Sequence, residues 1–147
     1  MATYSFLDTT ATLVGPGGFV ELAAGAASAD EGITISPSED IDSMQIGAGG
    51  EGMHNLHANR SGEIVARFLK TSPQNAKLMQ MYSFQTSSAV NHGRNTLALY
   101  NSSTGDAVSC TQVAFKRLPD LAYSKDGAVM EWRFSAVTIS PVLGASA

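Results

Sequence analysis

No lysine or arginine occurs before Arg60. The same stretch carries Asp8, Glu21, Asp30, Glu31, Glu39, Asp40, Asp42 and Glu51, a balance of −8. From Arg60 onward nine bases face Glu63, Asp106, Asp120, Asp126 and Glu131, a balance of +4. The net charge of −4 argues against a protein that grips nucleic acid by its phosphates. The asymmetry predicts either acidic and basic faces or, if strands from both halves share one core, charges that mix. Cys110 stands alone, which excludes an intrachain disulfide and a cysteine-rich metal site. Its surroundings, Val108 to Ala114, read as a strand and predict a buried, inert thiol. No apolar run is long enough to span a bilayer. Met1-Ala2-Thr3-Tyr4 opens without a basic segment and an apolar core, so no secretory signal is expected and synthesis is placed in the cytoplasm. Only 15% of residues are charged, which suits a subunit that hides faces in an assembly as well as a neutral monomer.

What is present reads as strands. The 147 residues predict one domain with a single core. Glu31 to Ser36 alternates apolar and polar, and Glu39 to Ile46 continues in extended style after Pro37. Gly47 to Gly52 holds four glycines in six residues, too costly in backbone entropy for a regular element. Ser61 to Lys70 is a second strand, with Ile64, Ala66 and Phe68 on one face. The two strands pair most simply as a long antiparallel hairpin. Ser72 and Pro73 suit a helix start, and the helix is expected over 73–84 with Ala76, Leu78, Met79, Met81 and Tyr82 as its apolar face.

Elsewhere, Tyr4 to Val14, a turn at Gly15 to Gly18, and Phe19 to Leu22 give a first strand pair, followed by a loop at Ala23 to Ala29. Gln85 to Asn95 is a polar loop, Thr96 to Asn101 a strand, and Ala107 to Phe115 its partner. Pro119 marks an edge or bend, and Lys125-Asp126-Gly127 a turn. Val129 to Ile139 is a last long strand, with Met130, Trp132, Phe134 and Ala136 on one side. Seven or eight strands and one helix make a mainly-β domain, an antiparallel sandwich or barrel with long hairpins and one flanking helix.

Chemistry-bearing motifs are weak. Gly47 to Gly52 satisfies G-x-G-x-x-G, but no helix follows to aim amides at a pyrophosphate, so no nucleotide site is expected. His54 and His57 lack a further ligand and a helix that would bring them over one metal ion. Asp40 and Asp42 share one side of an extended strand, yet nothing supplies a nucleophile or an oxyanion hole. No catalytic residue, cofactor or metal is assigned.

The order of several segments resembles the tail tube proteins of contractile-tailed bacteriophages, a family similar in plan to the type VI secretion tube protein. The segments are Tyr4 to Gly18, Glu31 to Ile35, Ser61 to Val65, Leu69 to Met79, Val113 to Leu121 and Glu131 to Phe134. The resemblance spans nearly the whole chain. It implies a virion tail component: hexameric rings, stacked head to tail into a hollow conduit for genome delivery, with inner strands closing into one barrel. It implies a tail sheath protein outside, a tape-measure protein within, a baseplate hub as nucleus, and DNA that passes without specific binding or membrane insertion.

Six copies of −4 make −24 per ring, and Glu39, Asp40, Asp42 and Glu51 are candidates for lining the lumen. Gly47, Gly49, Gly50, Gly52, His54, His57 and Arg60 are candidates for a ring-stacking loop, mobile in the monomer and ordered against the next ring. Two alternatives stay open. One is a tube-capping baseplate relative. The other is a soluble β-sandwich binding module, such as a carbohydrate-binding domain, which would need exposed aromatics where Trp132 alternates as a core residue.

Overall fold

A computed structural model describes Tyr4, residues 9–22, 28–125, 127 and 129–144, with the backbone alone for residues 28–31. The elements run β1 (Thr9–Gly15), β2 (Gly18–Glu21), β3 (Ser28–Pro37), β4 (Asp42–Ile46), β5 (Gly52–Leu56), β6 (Gly62–Leu69), α1 (Gln74–Thr86), β7 (Asn95–Asn101), β8 (Asp106–Arg117) and β9 (Val129–Val142). Seven strands form one antiparallel sheet in the order β2-β1-β7-β8-β9-β6-β3, and β4 and β5 form a second, two-stranded sheet.

The expected hairpin is present. β3 and β6 pair with Ile33 opposite Ala66 and Ile35 opposite Ile64. Alternation on β6 points Ile64, Ala66 and Phe68 inward, all fully buried, and on β9 it buries Trp132, Phe134 and Ala136. The large sheet curls, so that Leu13 and Val20 from one end share a core with Ile64 and Phe68 from the other. Phe115 sits at its centre, its ring 4.9 Å from Phe134, 6.0 Å from Trp132 and 5.7 Å from Tyr82. Such ring pairs add to what area burial alone contributes.

β8 and β9 run through both halves of the curl. On β8 the buried position moves from Cys110 to Val113, a spacing of three, around Gln112 with φ of 52°. That left-handed residue lies where the β7–β8 register shifts between the Leu97–Cys110 and Asn95–Val113 pairs. Cys110 is fully buried, and burial pushes its thiol up to about 11, as expected of an inert core cysteine.

Several expectations need correcting. The helix starts one residue later than expected and runs two further. Pro73 occupies the cap position, and Ser72 Oγ accepts the Gln74 N–H at 3.3 Å. The buried stripe of α1 is Gln74, Leu78, Met81 and Gln85, with Tyr82 packed beside the core, whereas Ala76 and Met79 are exposed. Both glutamines find partners for their amide nitrogens, while Gln74 Oε1 is buried without one. Gln85 and Asn95 exchange reciprocal side-chain hydrogen bonds of 2.8 and 2.7 Å, and they donate further to Pro16 O and Val113 O. Gln74 donates to Glu21 O at 3.1 Å. The Trp132 indole N–H bonds Asn75 Oδ1, and the Asn75 amide reaches Leu69 O, tying the helix start to β6 and β9.

The strand expected over 39–46 breaks: residues 38–41 bend, and the regular strand resumes at Asp42. The stretch after the glycines, expected to be irregular, is the strand β5. Among the described residues there are nine strands, one or two more than expected. The loop expected at Ala23 to Ala29 lies outside the described residues at 23–27, and β3 already begins at Ser28; the start of the first expected strand, 5–8, and Asp126 also lie outside them.

Candidate assembly surfaces

β4 and β5 extend the β3–β6 hairpin away from the core. Asp42 pairs with Leu56, Met44 with His54, and Ile46 with Gly52. One face therefore carries Asp42, Met44, Ile46, His54 and Leu56; the other carries Ser43, Gln45, Met53 and Asn55. Met44, Ile46 and Leu56 are 57%, 59% and 78% exposed. Among the described residues none covers them, and an isolated two-stranded hairpin is marginal in water.

The glycine-rich turn is defined. The Gly47 N–H donates to Glu51 O at 2.7 Å, the Gly50 N–H donates to Gly47 O at 3.0 Å, and Gly50 takes a φ of 90° that other residues rarely adopt. Of the candidates for a ring-stacking loop, Gly47, Gly49 and Gly50 belong to this turn. Gly52 and His54 lie on β5, and His57 and Arg60 lie in the return to β6.

His54 Nδ1 lies 3.0 Å from Asp42 Oδ2, and His57 Nε2 lies 3.2 Å from Ser43 Oγ, so the two rings serve different partners along the hairpin. No group of three or more potential metal ligands occurs among the described residues. At the root of the hairpin Ser38 Oγ and Ser61 Oγ are 2.7 Å apart, and Arg60 donates to His57 O at 2.9 Å.

The lumen candidates Glu39, Asp40, Asp42 and Glu51 are all exposed on this hairpin. Among the described residues no ion pair joins them to the bases of the second half. Three of those bases, Arg67, Lys116 and Arg133, meet acids from their own half across the outer face of β6, β8 and β9. Lys116 Nζ lies 2.7 Å from Glu63, Arg67 Nε lies 3.1 Å from Glu131, and Arg133 bridges Glu63 and Glu131. The hydrogen bond from Lys116, with that from Arg133, holds the Glu63 carboxyl below the usual range. Lys70 stands over the Tyr123 ring at 3.7 Å and donates to Ala122 O.

The remaining outer face has a different character. On β1, β7, β8 and β9 the outward positions form rows. Thr10, Tyr100, Ala107 and Val142 lie side by side, then Thr12, Ala98, Ser109 and Ser140. Val14 beside Thr96, and Thr111 beside Thr138, complete the face next to the register shift. These positions include no acid and no base. The sequence pattern held this signal, since every second residue of the four strands could have been read for charge as well as for hydropathy.

Trp132 is 1% exposed, so the indole that a sugar-binding platform would need is core.

The fold is a curled seven-stranded antiparallel sheet with one flanking helix and a projecting two-stranded hairpin. Three solved structures share it. The anti-feeding prophage cap, described as a tube-terminating cap, aligns at 13% identity with a TM-score of 0.61 over 98% of this chain and 93% of that one. A chain of the PVC sheath-tube complex, an extracellular contractile injection system in its extended state, aligns at 11% identity and a TM-score of 0.59, covering 96% and 92%. A chain of the PVC sheath/tube terminator aligns at 12% and 0.61, covering 97% and 98%. No curated protein sequence matches the chain. A family model described as the bacteriophage PhiTE tail tube protein matches residues 1–144, and the chain belongs to that family. It is a structural component of a phage tail.

Proposed function

We propose that the chain is the subunit of the inner tail tube, one domain per subunit, six subunits per ring, with rings stacked head to tail into a conduit for the genome. The observation that carries this reading is the projecting β4–β5 hairpin with its uncovered apolar face of Met44, Ile46 and Leu56. A second copy of the chain is the occupant that fits. The contact is heterologous, hairpin of one ring against the body of the next, and such a contact propagates into a filament. The segregated charge supports the same polarity: an acidic hairpin at one end and arginine- and lysine-bearing strands on the body.

In this reading Glu39, Asp40, Asp42 and Glu51 form an acidic collar toward the bore where rings meet, where they repel passing phosphates. A sheath protein encloses the tube, a tape-measure protein fills it before ejection, and a baseplate hub starts it. The sheath-tube complex among the structural neighbours supports the enclosing partner. The role is structural, not enzymatic.

A second reading, a terminator that caps the tube, is favoured by the two neighbours described as a cap and a terminator. Negative-stain electron microscopy of the purified full chain, alone and with baseplate components, separates the two. Tubes of indefinite length support the tube subunit. Single rings that bind tube ends and do not elongate support the terminator. A protein that stays monomeric under both conditions overturns both. Met44→Asp with Ile46→Asp is expected to abolish stacking while leaving the monomer's circular dichroism spectrum unchanged.

A further inference from the structure

We infer that the loop joining α1 to β7, residues 87–94, receives the hairpin tip of a second copy of the chain, and that the Arg94 guanidinium of one subunit holds the Glu51 carboxylate of the other. The inference rests on the tube reading and adds which part of the body the hairpin meets. Topology, charge and an open cleft carry it.

Gly62, Ala136, Val113 and Asn95 stand on one line across β6, β9, β8 and β7. Beyond that line Arg60 continues along β9, its carbonyl accepting the Ile139 N–H at 2.9 Å. The hairpin therefore leaves the body on the side where β7, β8 and β9 reach Asn101, Asp106 and Val142. The loop before Asn95 lies on the other side of the line, with Pro16 near it, since Gln85 bonds both Pro16 O and Asn95. Head-to-tail stacking brings opposite ends together, so the hairpin tip of one subunit faces this loop of the next.

The charges of the two ends match. Residues 32–59 contain Glu39, Asp40, Asp42 and Glu51 and no lysine or arginine, whereas residues 64–105 contain Arg67, Lys70, Lys77 and Arg94 and no acid. Arg67 is paired with Glu131 and Lys70 stands over Tyr123, but neither Arg94 nor Glu51 has an ion-pair partner among the described residues, and both are exposed. Glu51 is the carboxylate at the hairpin tip, where the Gly47 N–H closes the turn onto its carbonyl. Opposite charges left without a partner at opposite ends of one chain complement each other in a second copy.

Beside Arg94 lies an open cleft of about 540 Å³, with His92, Arg94, Thr96, Thr111 and Gln112 in its lining. These side chains offer hydrogen-bond donors, and no carboxylate lines the cleft. The loop is held in shape from within. Ser88 Oγ accepts the Val90 N–H at 3.3 Å, the Asn91 N–H donates to Ser88 O at 3.2 Å, and Arg94 Nε donates to Val90 O at 2.5 Å. With Nε so engaged, the terminal nitrogens of Arg94 serve a carboxylate, which a guanidinium grips by two parallel bonds. This pairing ties Glu51 to the next ring and leaves Glu39, Asp40 and Asp42 to the acidic collar.

Cross-linking of assembled tubes tests the inference. Arg94→Lys keeps the charge and supplies a primary amine, which a water-soluble carbodiimide joins to a carboxylate in contact with it. In tubes mixed from isotope-labelled and unlabelled copies of this variant, mass spectrometry is expected to find position 94 of one copy linked to Glu51 of another. Adding Glu51→Gln is expected to abolish the link. A link to Glu39, Asp40 or Asp42 instead, a link only within one copy, or no link overturns the inference.

Charge exchange is the second measurement, and it alone decides if Arg94→Lys does not assemble. Arg94→Glu and Glu51→Arg are each expected to lower the yield of sedimentable tubes about ten-fold at low salt, with unchanged circular dichroism, and the two together to restore it. A double variant that stays unassembled overturns the pairing. If Arg94→Glu leaves tube yield unchanged and lowers retention of a fluorescent duplex, the cleft serves phosphates and the inference fails. If the unmodified chain forms no tubes with baseplate components present, the tube reading itself fails.

Discussion

The same two strands, β8 and β9, carry two outer faces of opposite character. On the side shared with β6, Lys116, Glu63, Arg133, Glu131 and Arg67 form a chain of alternating charges. On the side shared with β7 and β1, the outward positions hold no charge at all. Core packing does not require the difference, since both sides cover the same buried cluster. Exposed ion pairs add little stability individually. Their use is to keep a surface wet and to disfavour wrong contacts. The two faces meet where Gln112 adopts its left-handed conformation and where β9 leaves β6 at Ala136.

The strongest way to break this arrangement is at the seam. A Cβ on Gly62 would stand 2.2 Å from Ile139 Cδ1 and 2.3 Å from the Ser36 carbonyl oxygen. Backbone cannot yield as a side-chain tip can, so Gly62→Ala is expected to cost up to about 3 kcal/mol. Thermal unfolding measures it; an unchanged midpoint would show that the β3–β6–β9 junction tolerates separation of the two faces.

Next comes the interior behind the neutral face. Gln85→Leu removes the amide that pairs with Asn95 and leaves buried groups of Asn95 and the Pro16 carbonyl short of a partner. A loss of about 1–3 kcal/mol is expected in urea unfolding. Gly15→Ala attacks the same pair, because its Cβ would fall 1.8 Å from Asn95 Oδ1.

Glu63→Gln tests the charged face and is expected to cost about 1 kcal/mol or less, since both basic partners stay partly solvated. Its signature is pH dependence. The Glu63 pKa is lowered in the fold, so its contribution is fully present above the ordinary glutamate value and is lost as pH falls through the lowered one. The variant should show a shallower loss of stability on acidification, and identical acid titrations of the two proteins would count against the ion-pair chain. Smallest of all, Ser109→Ala on the neutral face is expected to shift monomer stability by less than about 0.5 kcal/mol.

How much of this was legible in the sequence depended on what burial writes into it. Trp132, Phe134 and Ala136 alternate because one side of β9 is core, and Ile64, Ala66 and Phe68 do so for the same reason. β5 was not legible as a strand because neither of its faces is buried in the subunit. Gly52-Met53-His54-Asn55-Leu56 therefore has no core to write an alternation. The helix face was misread at Ala76 and Met79, and at the two glutamines, because hydropathy assigns amides to water. Gln85 is inside on account of Asn95 and the Pro16 carbonyl, partners that no local pattern shows. Of the candidate carboxylates, Glu39 and Asp40 lie in the bend before β4, Asp42 on β4 and Glu51 in the turn after it. Their orientation within an assembly is written in no single chain. The neutral face was missed because an absence of charge at every second position is invisible until register aligns four strands.

Cys110 gives the subunit a clock. Its sulfur lies inward on β8, between Leu97 of β7 and Ile139 of β9, and no reagent reaches it while those strands stay together. Every alkylation event therefore records one opening of the β7–β8–β9 layer. The rate of that event, compared between lone subunits and assembled protein, reads out how far neighbours quieten the breathing of a single chain, with no label added and no residue changed.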